Sequence, residues 1–403
     1  MPPPSERLSP LHDIHVAAGA AFTDFAGWQM PVRYSSDLAE HAAVRSAAGL
    51  FDLSHMGEIW MLGPQAGEAL DYALAGKLSA IEEGQAKYSL LLSPEGGILD
   101  DLVVYRTGPD RYLVVANASN REVVADELRA RAAAFDCLVE DESDDIALIA
   151  LQGPKAEEIL RNVEGFDLPG LDDLKYYRAI PCTYLDQHGR GHNVLVARTG
   201  YTGEDGFEFY LAPDAAPELW QAIAETGAGS GLVPAGLAAR DTLRLEAGMP
   251  LYGHELSTET FPVQAGLGRV VALKTKEGDF VGRAAVEAGP PGGARMLVGL
   301  KAANAKSFML GQVRWLVQND AGDLYAGIRV LPGLPAATAV RPTGLNVMGA
   351  KYVQAISLTA VPALNAQADE RVSRTSMDDT WTGGVGAGCG TGSRGFRYEA
   401  MVG

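Results

Sequence analysis

One segment restricts the fold more than any other. Residues Tyr88-Ser-Leu-Leu-Leu-Ser-Pro-Glu-Gly-Gly-Ile-Leu-Asp100-Asp101-Leu-Val-Val-Tyr105 read as two strand-length apolar runs joined by turn residues. Pro94 to Gly97 supplies the turn, with Gly96 and Gly97 free to take positive φ. A connection this short obliges the two strands to pair antiparallel. On the return strand, alternation puts Asp101 on the face of Leu99, Val103 and Tyr105, and Asp100 on the face of Ile98, Leu102 and Val104. Both neighbour sets are apolar, so at least one carboxylate is expected to be poorly solvated, with a perturbed pKa. Perturbed carboxylates concentrate at working sites. The same pattern also fits two acids at a solvated strand end, and spacing alone does not separate the two.

Further strands are expected at Tyr112–Ala116, Ile146–Leu151, Asn193–Arg198 and Phe207–Leu211, and helices at Arg121–Ala134 and Leu237–Ala247. Gly248 stands where the second helix needs a cap. Strands and helices interleave, yet the clearest strand pair is a hairpin. That favours α+β with antiparallel sheets over a doubly wound fold. At 403 residues the chain is long enough for two or three domains. Beyond Leu300 the charge reverses: residues 301–403 carry a net +3, against −21 for the first 300. The glycine-rich run Gly383-Gly-Val-Gly-Ala-Gly388 belongs to a tail, 366–403, expected to be disordered.

A net charge of −18 argues against nucleic acid as a partner, because such proteins neutralise phosphates with Lys and Arg. No run approaches the apolar length of a membrane helix, and no secretory signal opens the chain. Cys137, Cys182 and Cys389 fit neither a disulfide framework nor a metal site. A soluble cytoplasmic protein without metal is the expectation.

Two more segments carry chemistry. In Arg198-Thr-Gly-Tyr-Thr-Gly-Glu-Asp-Gly-Phe-Glu-Phe-Tyr210, three glycines make a tight connection between strands, and Glu208 and Tyr210 face away from Phe207 and Phe209. A glutamate so placed can accept two hydrogen bonds from a ring presenting an N–H and an amino group side by side; a surface hairpin with an acidic tip fits too. In Pro234-Ala-Gly-Leu-Ala-Ala-Arg-Asp-Thr-Leu-Arg244, Arg240 and Arg244 share a helix face, with Asp241 set to pair with Arg244. Arg240 either holds a carboxylate or joins an intrahelical ion-pair network. His55 reads as a satisfied structural histidine, and Phe22, Phe25 and Trp28 as core.

Eight runs, in order along the chain, resemble the aminomethyltransferase (T-protein) family of the glycine cleavage system. They are Asp24-Phe-Ala-Gly-Trp-Gln-Met-Pro31, Gly49-Leu-Phe-Asp-Leu-Ser-His-Met-Gly57, Gly96-Gly-Ile-Leu-Asp-Asp-Leu102, Ala150-Leu-Gln-Gly-Pro154, Arg198-Thr-Gly-Tyr-Thr-Gly-Glu-Asp-Gly-Phe-Glu208, Ala235-Gly-Leu-Ala-Ala-Arg-Asp241, Leu251-Tyr-Gly-His-Glu255 and Phe280-Val-Gly-Arg283. The resemblance implies an α+β cloverleaf of folate-binding antiparallel-sheet domains closed by a small C-terminal β-barrel. The division expected is a folate-binding body over 1–285, made of two interleaved α+β domains, and a C-terminal region over 286–403. The barrel's family motifs are not found after Lys301, which puts that module and closure of the folate site in question.

The resemblance also implies tetrahydrofolate as co-substrate and a lipoyl carrier, the H-protein, as partner. The reaction implied releases ammonia and yields 5,10-methylenetetrahydrofolate. Carried over by motif, Asp101 is the catalytic residue. Glu208 receives the pterin ring with Arg240 beside it, Tyr88, Tyr105, Asn117 and Tyr201 line the pocket, and Glu204 assists. The alternatives are a folate-dependent demethylase of a small donor and a folate binder without turnover, left by the altered C-terminus.

Overall fold

A computed structural model describes residues 7–291 with their side chains and, beyond them, the backbone of strands between Leu297 and Met401. The chain divides into two compact units, one of residues 1–244, 251–259 and 270–287, the other of 245–250, 260–269 and 288–403.

In chain order the first unit contains β1 (Arg7–Leu8), α1 (His12–Ala17), β2 (Ala21–Phe25), β3 (Trp28–Arg33), α2 (Asp37–Ser46), β4 (Ala48–Asp52), β5 (Gly57–Leu62), α3 (Ala66–Ala73), β6 (Ala86–Leu92), β7 (Ile98–Gly108), β8 (Arg111–Ala116) and α4 (Arg121–Ala132). There follow β9 (Leu138–Asp141), β10 (Ala147–Gln152), α5 (Ala156–Arg161), β11 (Phe166–Asp167), β12 (Ala179–Leu185), β13 (Gly191–Ala197), β14 (Gly206–Leu211), α6 (Ala216–Ala228), β15 (Leu232–Pro234) and α7 (Leu237–Glu246), whose last two residues are assigned to the second unit. Every strand and helix expected from the sequence is present, within two residues at most ends. Gly248 takes φ +71°, and its amide donates to the Leu245 carbonyl, as a helix cap requires.

Two sheets dominate. One runs β6-β7-β8-β5-β9, antiparallel throughout; the other runs β11-β12-β13-β14-β10-β4-β15, antiparallel except where β15 joins β4. Alternation along each strand divides the apolar residues among three cores. Ile59, Met61, Leu102 and Val104 point to the helix side of the five-stranded sheet, against α3 and α4. Ile149, Leu151, Phe207 and Phe209 point to the opposite outer face, against α5 and α6. The third core lies between the sheets, where Trp60, Tyr105, Leu113 and Val115 of one meet Phe51, Leu148, Ala150 and Tyr210 of the other. Fully burying a side chain such as Phe207 stabilises by about 1.5–3 kcal/mol.

Local signals agree with this plan. The Ser36 hydroxyl accepts from the Ala39 amide at 3.1 Å and caps α2. A bulge opposite Leu91 and Leu92 breaks the alternation of β7, so Leu99 packs on the helix side rather than with Asp101 as the pattern implied. Trp28 is buried, but Phe22 and Phe25 are only half-buried, because β2 is an edge strand of a three-stranded sheet.

In the second unit the described backbone forms an antiparallel six-stranded sheet and a two-stranded one, the latter pairing Leu334–Val340 with Val353–Thr359. These described strands do not close into the expected barrel. The expectation of disorder over 366–403 falls, apart from three short strands, outside the described residues. Among the described residues no helix is long and apolar enough to cross a membrane.

Candidate functional site

The hairpin that restricts the fold also sets the site. Gly96 takes the positive φ expected of it, at +89°, but Gly97 does not. Gly97 is required for a different reason: a Cβ there would lie 1.8 Å from the Thr258 carbonyl oxygen. The bare turn therefore lets residues 251–259 close on the hairpin, and the Tyr252 backbone amide donates to Asp101.

Both aspartates are buried, Asp100 at 0% and Asp101 at 8% exposure, which excludes the solvated strand end. Asp100 is held on the helix side by Asn120 Nδ2 at 3.0 Å and by Asn117 Nδ2 at 2.8 Å. Asp101 faces the inter-sheet space, where it accepts from the Tyr88 hydroxyl at 3.0 Å and from Asn117 Nδ2 at 3.0 Å. Burial, the larger effect, outweighs these donors and raises Asp101 to about 6. Asp100 is raised to about 7, by burial first and by the charge of Asp101 second.

Across the space stands Glu208 on β14. Its Oε2 accepts from the Thr199 hydroxyl at 2.5 Å and the Tyr105 hydroxyl at 3.3 Å, and Tyr210 donates to Tyr105 at 3.2 Å. Burial raises the proton affinity of Glu208, while Thr199, the Arg240 charge and Tyr105 oppose it. Arg240 lies over the Tyr201 ring, 4.5 Å from its centroid. Arg244 instead forms the ion-pair network, with Asp241 at 2.7 Å and Glu255 at 2.5 Å. The two arginines of one helix face thus have separate tasks, and only Arg240 is directed at Glu208.

The Gly-rich connection is shaped by Gln152. Cβ atoms on Gly200 and Gly206 would lie 1.9 Å and 2.4 Å from its amide group. That amide receives the Thr202 hydroxyl at 2.8 Å and donates to the Thr199 carbonyl at 3.0 Å. The turn is therefore pinned with Thr199 beneath Glu208. Glu204 pairs with Arg45 at 3.0 Å, and Arg45 also holds the Thr202 carbonyl at 2.6 Å.

Tyr88, Asn117, Tyr201, Glu208 and Arg240 come together in this space, with Asp101 and Tyr105 in its walls. All five keep part of their surface open although they stand between the two sheets. Tyr177 belongs with them. It is one of two non-glycine residues with positive φ among those described, at 61°, and it feels the charges of Glu208 and Asp101. Nothing in the run Lys175-Tyr-Tyr-Arg178 marks it in the sequence, whereas a strained backbone beside a site is legible only in three dimensions. Thr199 was hidden inside a recognised motif. His55 is not the satisfied histidine expected: it is buried, its Nδ1 has no partner among the described residues, and burial with the nearby Arg240 charge lowers it to about 4.

Set beside known proteins, residues 11–275 match the family model described as the GCVT N-terminal domain. The chain is 54% identical over 342 residues to an aminomethyltransferase of Saccharopolyspora erythraea, covering 85% of this chain and 89% of that one. It is 55% identical over 330 residues to an aminomethyltransferase of Cutibacterium acnes, covering 80% and 86%. The crystal structure of glycine cleavage system aminomethyltransferase T from Bartonella henselae superposes with a TM-score of 0.69 at 31% identity, over 99% of this chain and 97% of that one. Motifs, fold and relatives agree, and the chain belongs to the aminomethyltransferase family of the glycine cleavage system.

Proposed function

We propose that this protein moves the one-carbon unit of an aminomethyl group, carried on the lipoyl thiol of an H-protein, to tetrahydrofolate. Ammonia is released and 5,10-methylenetetrahydrofolate forms; the relatives' shared name and the grouping of polar and aromatic side chains between the sheets support this. The residues present fit a reduced pterin. Glu208 is a carboxylate acceptor held by hydroxyl donors from behind, leaving Oε1 for an adjacent N–H and amino pair. Tyr88, Tyr177 and Tyr201 supply flat apolar walls, and Arg240 balances the Glu208 charge.

Tetrahydrofolate supplies the nucleophilic nitrogens and accepts the carbon. Asp101 does the protein's part of the chemistry. One oxygen is fixed by Tyr88 and the other by Asn117, so the carboxylate is oriented before substrate arrives. Its raised proton affinity suits exchange of a proton near neutrality, at the nitrogen that attacks or the amine that leaves. Asn117 also binds Asp100, so one side chain keeps both aspartates in register. Glu204, through Arg45, assists by holding the Gly-rich turn.

The observation that carries this reading is a buried, pre-oriented Asp101 on the same side of the five-stranded sheet as the facing Glu208 and Arg240. The test is methylenetetrahydrofolate formation from tetrahydrofolate and aminomethyl-loaded H-protein. Asp101→Asn should lower turnover by ~10² or more, the worth of a general acid–base group. Binding of folate without turnover by the unmutated chain would refute the transferase reading and leave a folate binder. Turnover of a small methyl donor without H-protein would favour a demethylase.

A further inference from the structure

The mechanism leaves one buried acid unused. Glu58 on β5 is 0% exposed, and neither of its carboxyl oxygens has a hydrogen-bond partner among the described residues. It points to the inter-sheet core, as does Trp60 two residues on, whose Nε1 is equally without a partner. An isolated carboxylate in such surroundings is far costlier than its neutral acid. Its charged and titratable neighbours are Arg121, Asp141 and Asp144 at the sheet edge, and Glu208 and Tyr210 from the facing sheet. Arg121 is already engaged by Asp141 at 2.9 Å and by Asp144 at 2.7 Å, so it gives Glu58 no ion pair.

A protonated Glu58 has one donor and needs an acceptor. Tyr210 is the near end of a hydroxyl chain that runs from Tyr210 to Tyr105 at 3.2 Å, and from Tyr105 to Glu208 at 3.3 Å. The ionised Glu208 can only accept, yet the Tyr105 hydroxyl has two other acceptors within reach, the Tyr210 oxygen at 3.2 Å and the Thr199 oxygen at 2.9 Å, and an anchor at the Tyr210 end removes the first of them. A single water between Glu58, Trp60 Nε1 and the Tyr210 oxygen would have the polar partners that an internal water requires.

We propose that Glu58 is a positioning residue for the pterin site: it stands protonated behind Tyr210 and directs the Tyr210–Tyr105 hydroxyl chain so that Tyr105 donates to Glu208. Two buried acids then take opposite forms, Glu58 neutral and Glu208 the ionised acceptor. Were both charged, each would repel the other across the core. This rests on the assignment of Glu208 to the folate ring.

The experiment compares the full chain with Glu58→Gln, Glu58→Leu and, as control, Glu208→Gln. The readouts are tetrahydrofolate binding across pH and the infrared carbonyl band of a protonated carboxyl group. At neutral pH the difference spectrum of the parent minus Glu58→Gln should show that band, shifted in deuterium oxide, because the protonated fraction of Asp100 is common to both and cancels. Gln keeps a donor, so its affinity should stay within about twofold, whereas Leu should weaken binding about tenfold, the loss of one hydrogen bond to a charged group. In Glu58→Leu the acid side of the binding profile should move to higher pH, because Glu208 has lost a donor, and KM should rise with kcat unchanged. An absent carboxyl band, or a Glu58→Leu variant that binds with the parent's pH profile, overturns the proposal. If Glu208→Gln weakens binding and Glu58→Leu does not, only this inference fails. If Glu208→Gln binds normally, the folate assignment itself falls, and the positioning role of Glu58 falls with it.

Discussion

Asp101, the proposed catalytic residue, is buried at a cost in stability. Burial raises its pKa from the ordinary 3.8 to about 6, so the folded protein binds this proton more tightly than the unfolded chain does. The resulting penalty is absent below pH 4 and fully present above pH 6. Asp101→Asn is therefore expected to unfold at higher urea than the parent at pH 7, by up to about 3 kcal/mol, with the gap closing near pH 4. A gap that does not narrow on acidification would show that Asp101 carries no buried charge. The same shift sets the acid side of turnover: if the ionised form accepts the proton, activity should fall with a midpoint near pH 6. Asp52 has the opposite sign. Burial alone would raise it, but His15 at 2.8 Å, with Ser9 and the Ser54 amide, holds it below the ordinary carboxylate range. Its contribution is present above pH 4 and is lost as pH falls through the depressed value. Asp52→Ala should destabilise by about 3–5 kcal/mol at pH 7, because it leaves buried polar groups without their partner. Urea titrations at pH 7 and at successively lower pH measure the cost and its decline in acid.

Among the elements, the β6–β7 hairpin matters most because its turn is also a docking surface. Gly97 has no Cβ where the Thr258 carbonyl passes, and that close approach brings the Tyr252 amide to Asp101. Gly97→Ala should push residues 251–259 off the turn, at about 1–3 kcal/mol of overpacking. Proteolysis within 251–259 should quicken, and turnover should fall although the added methyl group would touch no substrate. Unchanged cleavage and turnover would mean that the segment is held by other contacts. The neighbouring turn at 198–206 follows the same logic, with glycine present where Gln152 leaves no room for a side chain.

For the molecule, the arrangement of cores sets how it unfolds. Two cores each belong to one sheet and its helices, but the third is shared by both inner faces. Losing either sheet exposes the shared core of the other, so the first unit should unfold as one cooperative step. Trp60 reports on the shared core and Trp220 on the outer face under α6. Variants keeping only one of these tryptophans in that unit should give coincident urea midpoints, and separated midpoints would show that the sheets unfold independently. The candidate site borders the shared core, to which Tyr105 and Tyr210 belong. Facing sheets exclude enough water to raise both Asp101 and Glu208 above the ordinary carboxylate range.

The set of elements and the family were legible in the chain alone. Alternation and turn residues placed the strands, helical spacing placed α4 and α7, and eight motif runs named the relatives. Those signals are local: they depend on backbone period and on residues a few positions apart. The family resemblance pointed to Asp101 and Arg240, but the contacts that bury Asp101, that occupy Arg244 and that require glycine at 97 emerged only from the packed fold. In each case the cause is a partner distant in the chain: Asn117 and Tyr252 for Asp101, Glu255 for Arg244, Thr258 for Gly97. Tyr177 and Glu58 carried no pattern at all. A strained φ and a buried acid without a donor arise from packing two sheets face to face, and no spacing along one strand encodes them.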